Sequence, residues 1–142
     1  MDRRRFLQSS GCGALGLALG AGVVWALDEP ERPVLPVRLG PLVELPAVGT
    51  VRLFPEQEVA LVRRAAGLAV LDLRCTHLGC RLRLAGAELV CPCHGGRFDL
   101  DGLVRGGPPP GPLPWYEARV SQRGDVFFYP GRMNHDRALL RI

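Results

Sequence analysis

From residue 50 onward the apolar positions recur at short spacing and are broken by Gly and Pro, a pattern of strands rather than long helices. TVRLF (50–54), EVALVRR (58–64) and GLAVLDLRC (67–75) each alternate or run apolar between turn residues. AELVCPC (87–93), RFDLDG (97–102), YEARVSQ (116–122) and DVFFYP (125–130) continue the series. Gly67 marks one turn, and RGD (123–125) marks a hairpin turn around Gly124, with no adhesion role. FPEQEVALVRRAAG (54–67) also admits a helix with Pro55 in its first turn. Many short strands separated by turn residues predict an all-β antiparallel sandwich or small barrel.

The N-terminus has a different pattern. Gly11–Leu27 holds no charge over 17 residues, roughly 25 Å as a helix, slightly less than a bilayer core needs. Arg3, Arg4, Phe6 and Leu7 precede it and resemble a twin-arginine export signal. Positive charge before the apolar run places the following chain outside the cytoplasm, on the periplasmic face. No good small-x-small cleavage site follows, so residues 1–27 are expected to stay as a helical membrane anchor; a cleaved signal is the alternative. Cys12 then packs as a small helix residue. Residues 28–37, DEPERPVLPV, carry three prolines and four charges and read as a semi-rigid extended linker. Residues 38–142 are left as the globular domain.

Composition narrows the function. At 142 residues the chain has room for one domain. All 18 basic residues are Arg, against 14 acids. Without residues 1–27, 15 Arg and 13 acids remain, a net of +2. That charge is too small and too scattered for a nucleic-acid surface.

The candidate chemistry lies in two short stretches, CTHLGC (75–80) and CPCHGGRF (91–98). They hold four of the five cysteines and two of the three histidines. His135 lies far away in sequence and gets no ligand role. Disulfides alone are allowed outside the cytoplasm but leave His77 and His94 unexplained. A nucleophilic thiol needs one activated cysteine, not four. Two Cys and two His would suit zinc chemically.

A further reading uses more of the residues. Cys75, Thr76, His77, Leu78, Gly79, Cys80 followed by Cys91, Pro92, Cys93, His94, Gly95 resembles the Rieske [2Fe–2S] proteins, in which two His replace two Cys on one iron. The resemblance implies a small Rieske-type antiparallel β-sandwich or barrel with an inserted cluster-binding subdomain. It implies that Cys75 and Cys91 bind one iron and His77 and His94 the other. It also implies a disulfide between Cys80 and Cys93 that ties the two loops, as in the respiratory members. GGPPPGPLP (106–114) would be a stiff third loop covering the cluster. Asp99 and Asp101 are expected in a solvated turn.

Two departures matter. Only 13 residues separate His77 from Cys91, so the hairpin between the motifs should be short. High-potential relatives carry a Ser and a Tyr where this chain has Gly96 and Phe98, so mainly backbone N–H groups remain as donors to the sulfurs. The expected potential is therefore in the middle or lower part of the Rieske range, roughly −150 to +300 mV.

By resemblance the chain is a one-electron carrier, expected as the iron–sulfur subunit of a quinol-oxidising cytochrome bc-type complex. His77 and His94 would exchange a proton and an electron with quinol, a c-type cytochrome would accept the electron, and a cytochrome b-type subunit would be the partner. The alternative is the small subunit of an arsenite-oxidase-like molybdenum enzyme, with a molybdopterin subunit as partner.

Overall fold

The computed structural model describes residues 33–142. The predicted signal helix and most of the linker lie outside them. Among the described residues no helix is long and apolar enough to cross a membrane. Val37, the last residue of the predicted linker, is the first of a strand.

Among the described residues ten strands form two antiparallel sheets. The larger contains β1 (Val37–Pro41), β2 (Val51–Phe54), β3 (Val59–Arg64), β4 (Gly67–Asp72), β9 (Trp115–Val120) and β10 (Asp125–Met133), in the order β1-β10-β9-β4-β3-β2. The smaller contains β5 (Arg83–Ala85), β6 (Glu88–Val90), β7 (Arg97–Asp99) and β8 (Val104–Gly106), paired in chain order.

The VALV and LAVL runs are continuous because the larger sheet is covered on both faces at β3 and β4. Val59, Leu61, Leu68 and Val70 pack on one side with Leu39, Tyr116, Val126 and Phe128. Ala60, Val62, Ala69 and Leu71 pack on the other with Leu73, Leu82, Leu89, Phe98, Leu113 and Trp115. Each fully buried Leu or Phe contributes roughly 1.5–3 kcal/mol relative to exposure. The sheet also curls. Leu39 and Gly40 of β1 and Arg52 and Phe54 of β2, from its two ends, line one small cavity.

The helix alternative for 54–67 does not occur. Phe54 pairs with Val59 across a tight turn, in which Gln57 N–H donates to the Phe54 carbonyl (3.2 Å). Glu58 closes the turn at φ 55°. The four-residue apolar run is then explained by two-sided burial rather than by helical spacing. Gly67 is required at its turn. It has φ +148°, and a Cβ there would collide with the Leu140 carbonyl.

The smaller sheet is an insertion. β4 and β9 are neighbours, with Val70 opposite Tyr116 and Leu71 opposite Trp115, and residues 73–114 leave and return between them. The face of the larger sheet that carries Ala69 and Leu71 supports this insertion from below through Leu73, Leu82, Leu89, Phe98 and Leu113. The expected subdomain inserted into an all-β fold is therefore present.

Candidate metal centre

The two cysteine-containing loops share one backbone design. Cys75 N–H donates to the Cys80 carbonyl (2.9 Å), and Gly79 N–H donates back to the Cys75 carbonyl (2.8 Å). In the second loop Cys91 N–H donates to the Gly96 carbonyl (2.7 Å), and Gly95 N–H donates to the Cys91 carbonyl (3.1 Å). Gly79 and Gly95, each four residues after a free cysteine, have φ +75° and +70°. Glycine adopts this conformation without the steric penalty of a Cβ.

This wrapping turns successive N–H groups toward sulfur. Cys75 and Cys91 are free thiols, both buried, and pack in the same apolar cluster. Burial pushes the Cys75 thiol up, against the N–H groups of His77 and Leu78 that favour its thiolate. Burial works the same way on Cys91, but the N–H groups of Cys93, His94 and Gly96 and the Cys75 side chain outweigh it, and its pKa falls below the ordinary thiol value. These are the backbone donors expected in place of side-chain hydroxyls.

The histidines meet at the same tip. Their ring centroids are 5.0 Å apart and nearly perpendicular. His94 is exposed and His77 half-buried. His77 Nδ1 is buried and has no hydrogen-bond partner. A buried ring nitrogen without a partner is costly unless it has a ligand to bind. Two buried thiols, an orphaned imidazole nitrogen and a second imidazole at one tip make a donor set that fits a mixed sulfur–nitrogen iron centre.

Cys80 and Cys93 are joined by a disulfide, with Cα atoms 6.5 Å apart, which ties one loop to the other as the resemblance implied. The proline-rich segment closes the third side. The ring of buried Pro109 packs on Gly96, beside Cys75 Sγ. Gly107, at φ +85°, approaches the Gly95–Gly96 backbone so closely that a Cβ would stand 2.8 Å from the Gly95 carbonyl oxygen. Thr76 Oγ1 donates to the Gly111 carbonyl (2.7 Å) and pins this loop to the first one.

The sequence pattern of the Rieske [2Fe–2S] domain matches residues 38–117 of the chain. The chain belongs to the Rieske family. The cofactor that goes with the family is a [2Fe–2S] cluster. The cytochrome b6-f complex iron–sulfur subunit of Chlorobaculum tepidum is 31% identical over 129 residues, covering 84% of this chain and 71% of the relative. Among solved structures, the plasma membrane Rieske protein PetC3 of the cyanobacterium Synechocystis is similar at 30% identity and TM-score 0.51, over 65% of this chain and 97% of that one. A chain of a hyperthermophilic respiratory Complex III is similar at 27% identity and TM-score 0.50, over 83% of this chain and 98% of that one.

Three supports of this Rieske site carry no motif. Asp72, buried at the root of the first loop, accepts Tyr116 Oη (2.8 Å), the Arg74 N–H (2.8 Å) and the Arg74 guanidinium (2.7 Å). Arg137, from the segment after β10, donates to the Leu113 and Asp101 carbonyls and stacks over Trp115, 4.8 Å from the ring centroid. Asp99 corrects the expectation of a solvated turn. Its carboxylate accepts the N–H groups of Asp101 and Leu103 (both 2.9 Å) and Arg105 Nε (2.9 Å). Asp101 is paired with Arg64 at 2.6 Å. His135 is exposed in the segment after β10.

Proposed function

We propose that this chain is the Rieske subunit of a quinol-oxidising cytochrome bc-type complex, with Cys75 and Cys91 holding one iron and His77 and His94 the other. The likeness to a cytochrome b6-f iron–sulfur subunit along 84% of the chain is the observation that carries this reading.

When bound, the cluster supplies one-electron exchange. The chain's own residues set the conditions. The Cys80–Cys93 disulfide holds the two loops in register. Pro109 keeps water from one side of the Cys75 sulfur. His94 presents its ring to solvent and is the more accessible of the two imidazoles for a hydrogen bond from quinol. His77 has its Nδ1 buried and its ring 5.0 Å from that of His94.

Residues 1–27 would anchor the chain on the exported side of the membrane, uncleaved, and the 28–37 linker would let the head move between a cytochrome b-type subunit and a c-type cytochrome. Purification of the tagged full chain in mild detergent from its native membrane tests this. Co-purification of a cytochrome b and reduction of the cluster by quinol are expected. A molybdopterin subunit in the same fraction, with no b-type haem, would overturn the assignment in favour of the arsenite-oxidase-like reading.

A further inference from the structure

Three sulfurs, rather than two, meet behind the clamp. The Sγ atoms of Cys80, Cys91 and Cys93 all lie within 4.8 Å of one another. Cys80 and Cys93 are bonded to each other, and Cys91 is a free thiol. A disulfide with a third thiol held beside it has the partners for exchange already gathered. Exchange needs the attacking sulfur in line with the S–S bond, and Cys91, within 4.8 Å of both bonded sulfurs, lies beside that bond; freed from iron, its side chain has only a short swing to make.

We propose that the iron–sulfur cluster is the lock on this disulfide: in the chain without its cluster, Cys91 exchanges with Cys80–Cys93 and releases Cys93 as an exposed thiol. The inference rests on the reading of Cys91 as a cluster ligand. With the cluster in place the Cys91 sulfur is committed to iron and cannot attack.

The step balances without an oxidant. The Cys91 thiol gives its proton to solvent, and its sulfur bonds to Cys80 Sγ. The Cys80–Cys93 bond breaks, and Cys93 leaves as a thiolate that takes up a proton. Among the four loop cysteines, one disulfide and two thiols are present before and after. Attack on Cys80 is preferred to attack on Cys93, because a Cys91–Cys93 bond would close a small strained ring across Pro92, whose φ is fixed. The released Cys93 is exposed. It borders a shallow hollow lined by Arg81, Arg83 and Pro92, so reagents reach it from solvent. Loss of the cluster is thereby recorded as an altered covalent link, and reloading requires the original pairing to be restored.

Cysteine mapping on the full chain tests this. The cluster is removed anaerobically with acid and chelator, the chain is returned to mildly alkaline buffer without added thiol, and free thiols are alkylated. After digestion, fragmentation before Pro92 separates Cys91 from Cys93 and shows which carries the label. The cluster-loaded chain should show no label on Cys93. The cluster-free chain should carry the label on Cys93 in the larger share of molecules, with a Cys80–Cys91 cross-link. Cys75→Ser, which loses a ligand but keeps Cys91, should show the same shift without acid treatment, and cluster-free Cys91→Ser should not. Label on Cys75 and Cys91 with none on Cys93 in the cluster-free chain would overturn the proposal, as would label on Cys93 in Cys91→Ser. Neither outcome would touch the cluster assignment, which is judged on iron and sulfide content.

Discussion

Pro109 fills the space that a side chain on Gly96 would need: a Cβ there would stand 2.7 Å from Pro109 Cγ and 3.4 Å from Cys75 Sγ. The proline ring is held by its own stiff loop and has no flexible end to move aside. Gly96→Ala should therefore overpack the junction of the second and third loops, at a cost of about 1–3 kcal/mol. Thermal bleaching of the cluster's visible absorbance should occur at lower temperature than in the wild type. Gly96→Ala combined with Pro109→Ala should recover part of the loss. An unchanged bleaching temperature in the single variant would show that the loop yields freely.

The same junction bears on the reduction potential. Phe98 is fully buried and offers no hydroxyl, and Gly96 offers only its N–H to the Cys91 sulfur. A donor to sulfur stabilises the added electron and raises the potential. A charge-assisted hydrogen bond is worth about 1.5–3 kcal/mol, which is roughly 65–130 mV for one electron. The wild type should fall in the middle or lower part of the Rieske range, and Phe98→Tyr should raise it by up to that amount. Protein-film voltammetry at neutral pH measures both. A wild-type value at the top of the range would contradict this account.

Asp99 ties acid stability to the insertion. Burial alone would raise its pKa, but the N–H groups of Leu103 and Asp101 and the Arg105 guanidinium hold its carboxyl below the usual range. A depressed carboxyl in the folded state stabilises the fold above the pKa of the unfolded chain, and that stability is lost as pH falls through the folded value. Asp99→Asn should cost about 1–3 kcal/mol at neutral pH. The difference from wild type should close as both are taken below the carboxylate range. Denaturant midpoints across that pH series read the effect, and a gap that persists in acid would rule out the charge as its source.

These predictions also show which parts of the molecule were legible in the sequence. Strands β3, β4, β9 and β10 were visible because buried faces impose an apolar pattern on them, and the two motifs were visible because metal ligation fixes residue type and spacing. β5 was hidden because all three of its residues are exposed, so burial writes no pattern there. β8 has only half-buried or exposed residues. β1 was hidden by its composition, since Val37 ends the proline-rich stretch read as linker and Gly40 and Pro41 break any apolar pattern after it. Asp72 and Arg137 act through distant partners, such as Tyr116, 44 residues from Asp72, and the Asp101 carbonyl, 36 residues from Arg137. Such pairings follow from the completed fold, and no local pattern announces them.

The disulfide spans 13 residues of sequence and is the covalent tie between the two loops. Replacing Cys80 and Cys93 together by Ser should destabilise the chain by about 3 kcal/mol on the loop-closure estimate. Loss of the cluster in denaturant, followed by visible absorbance, should begin at lower concentration and proceed faster. Loss at the wild-type rate would mean that Thr76, Gly107 and Pro109 suffice to hold the loops.

The central proposal is that Cys75, Cys91, His77 and His94 would hold the [2Fe–2S] cluster. Iron and acid-labile sulfide analysis of the freshly purified chain, paired with pulsed EPR of its reduced form, tests this most directly. Two irons and two sulfides per chain, with magnetic coupling to two histidine nitrogens, are expected for this centre. Zinc without labile sulfide, or an iron–sulfur signal with no nitrogen coupling, would contradict it.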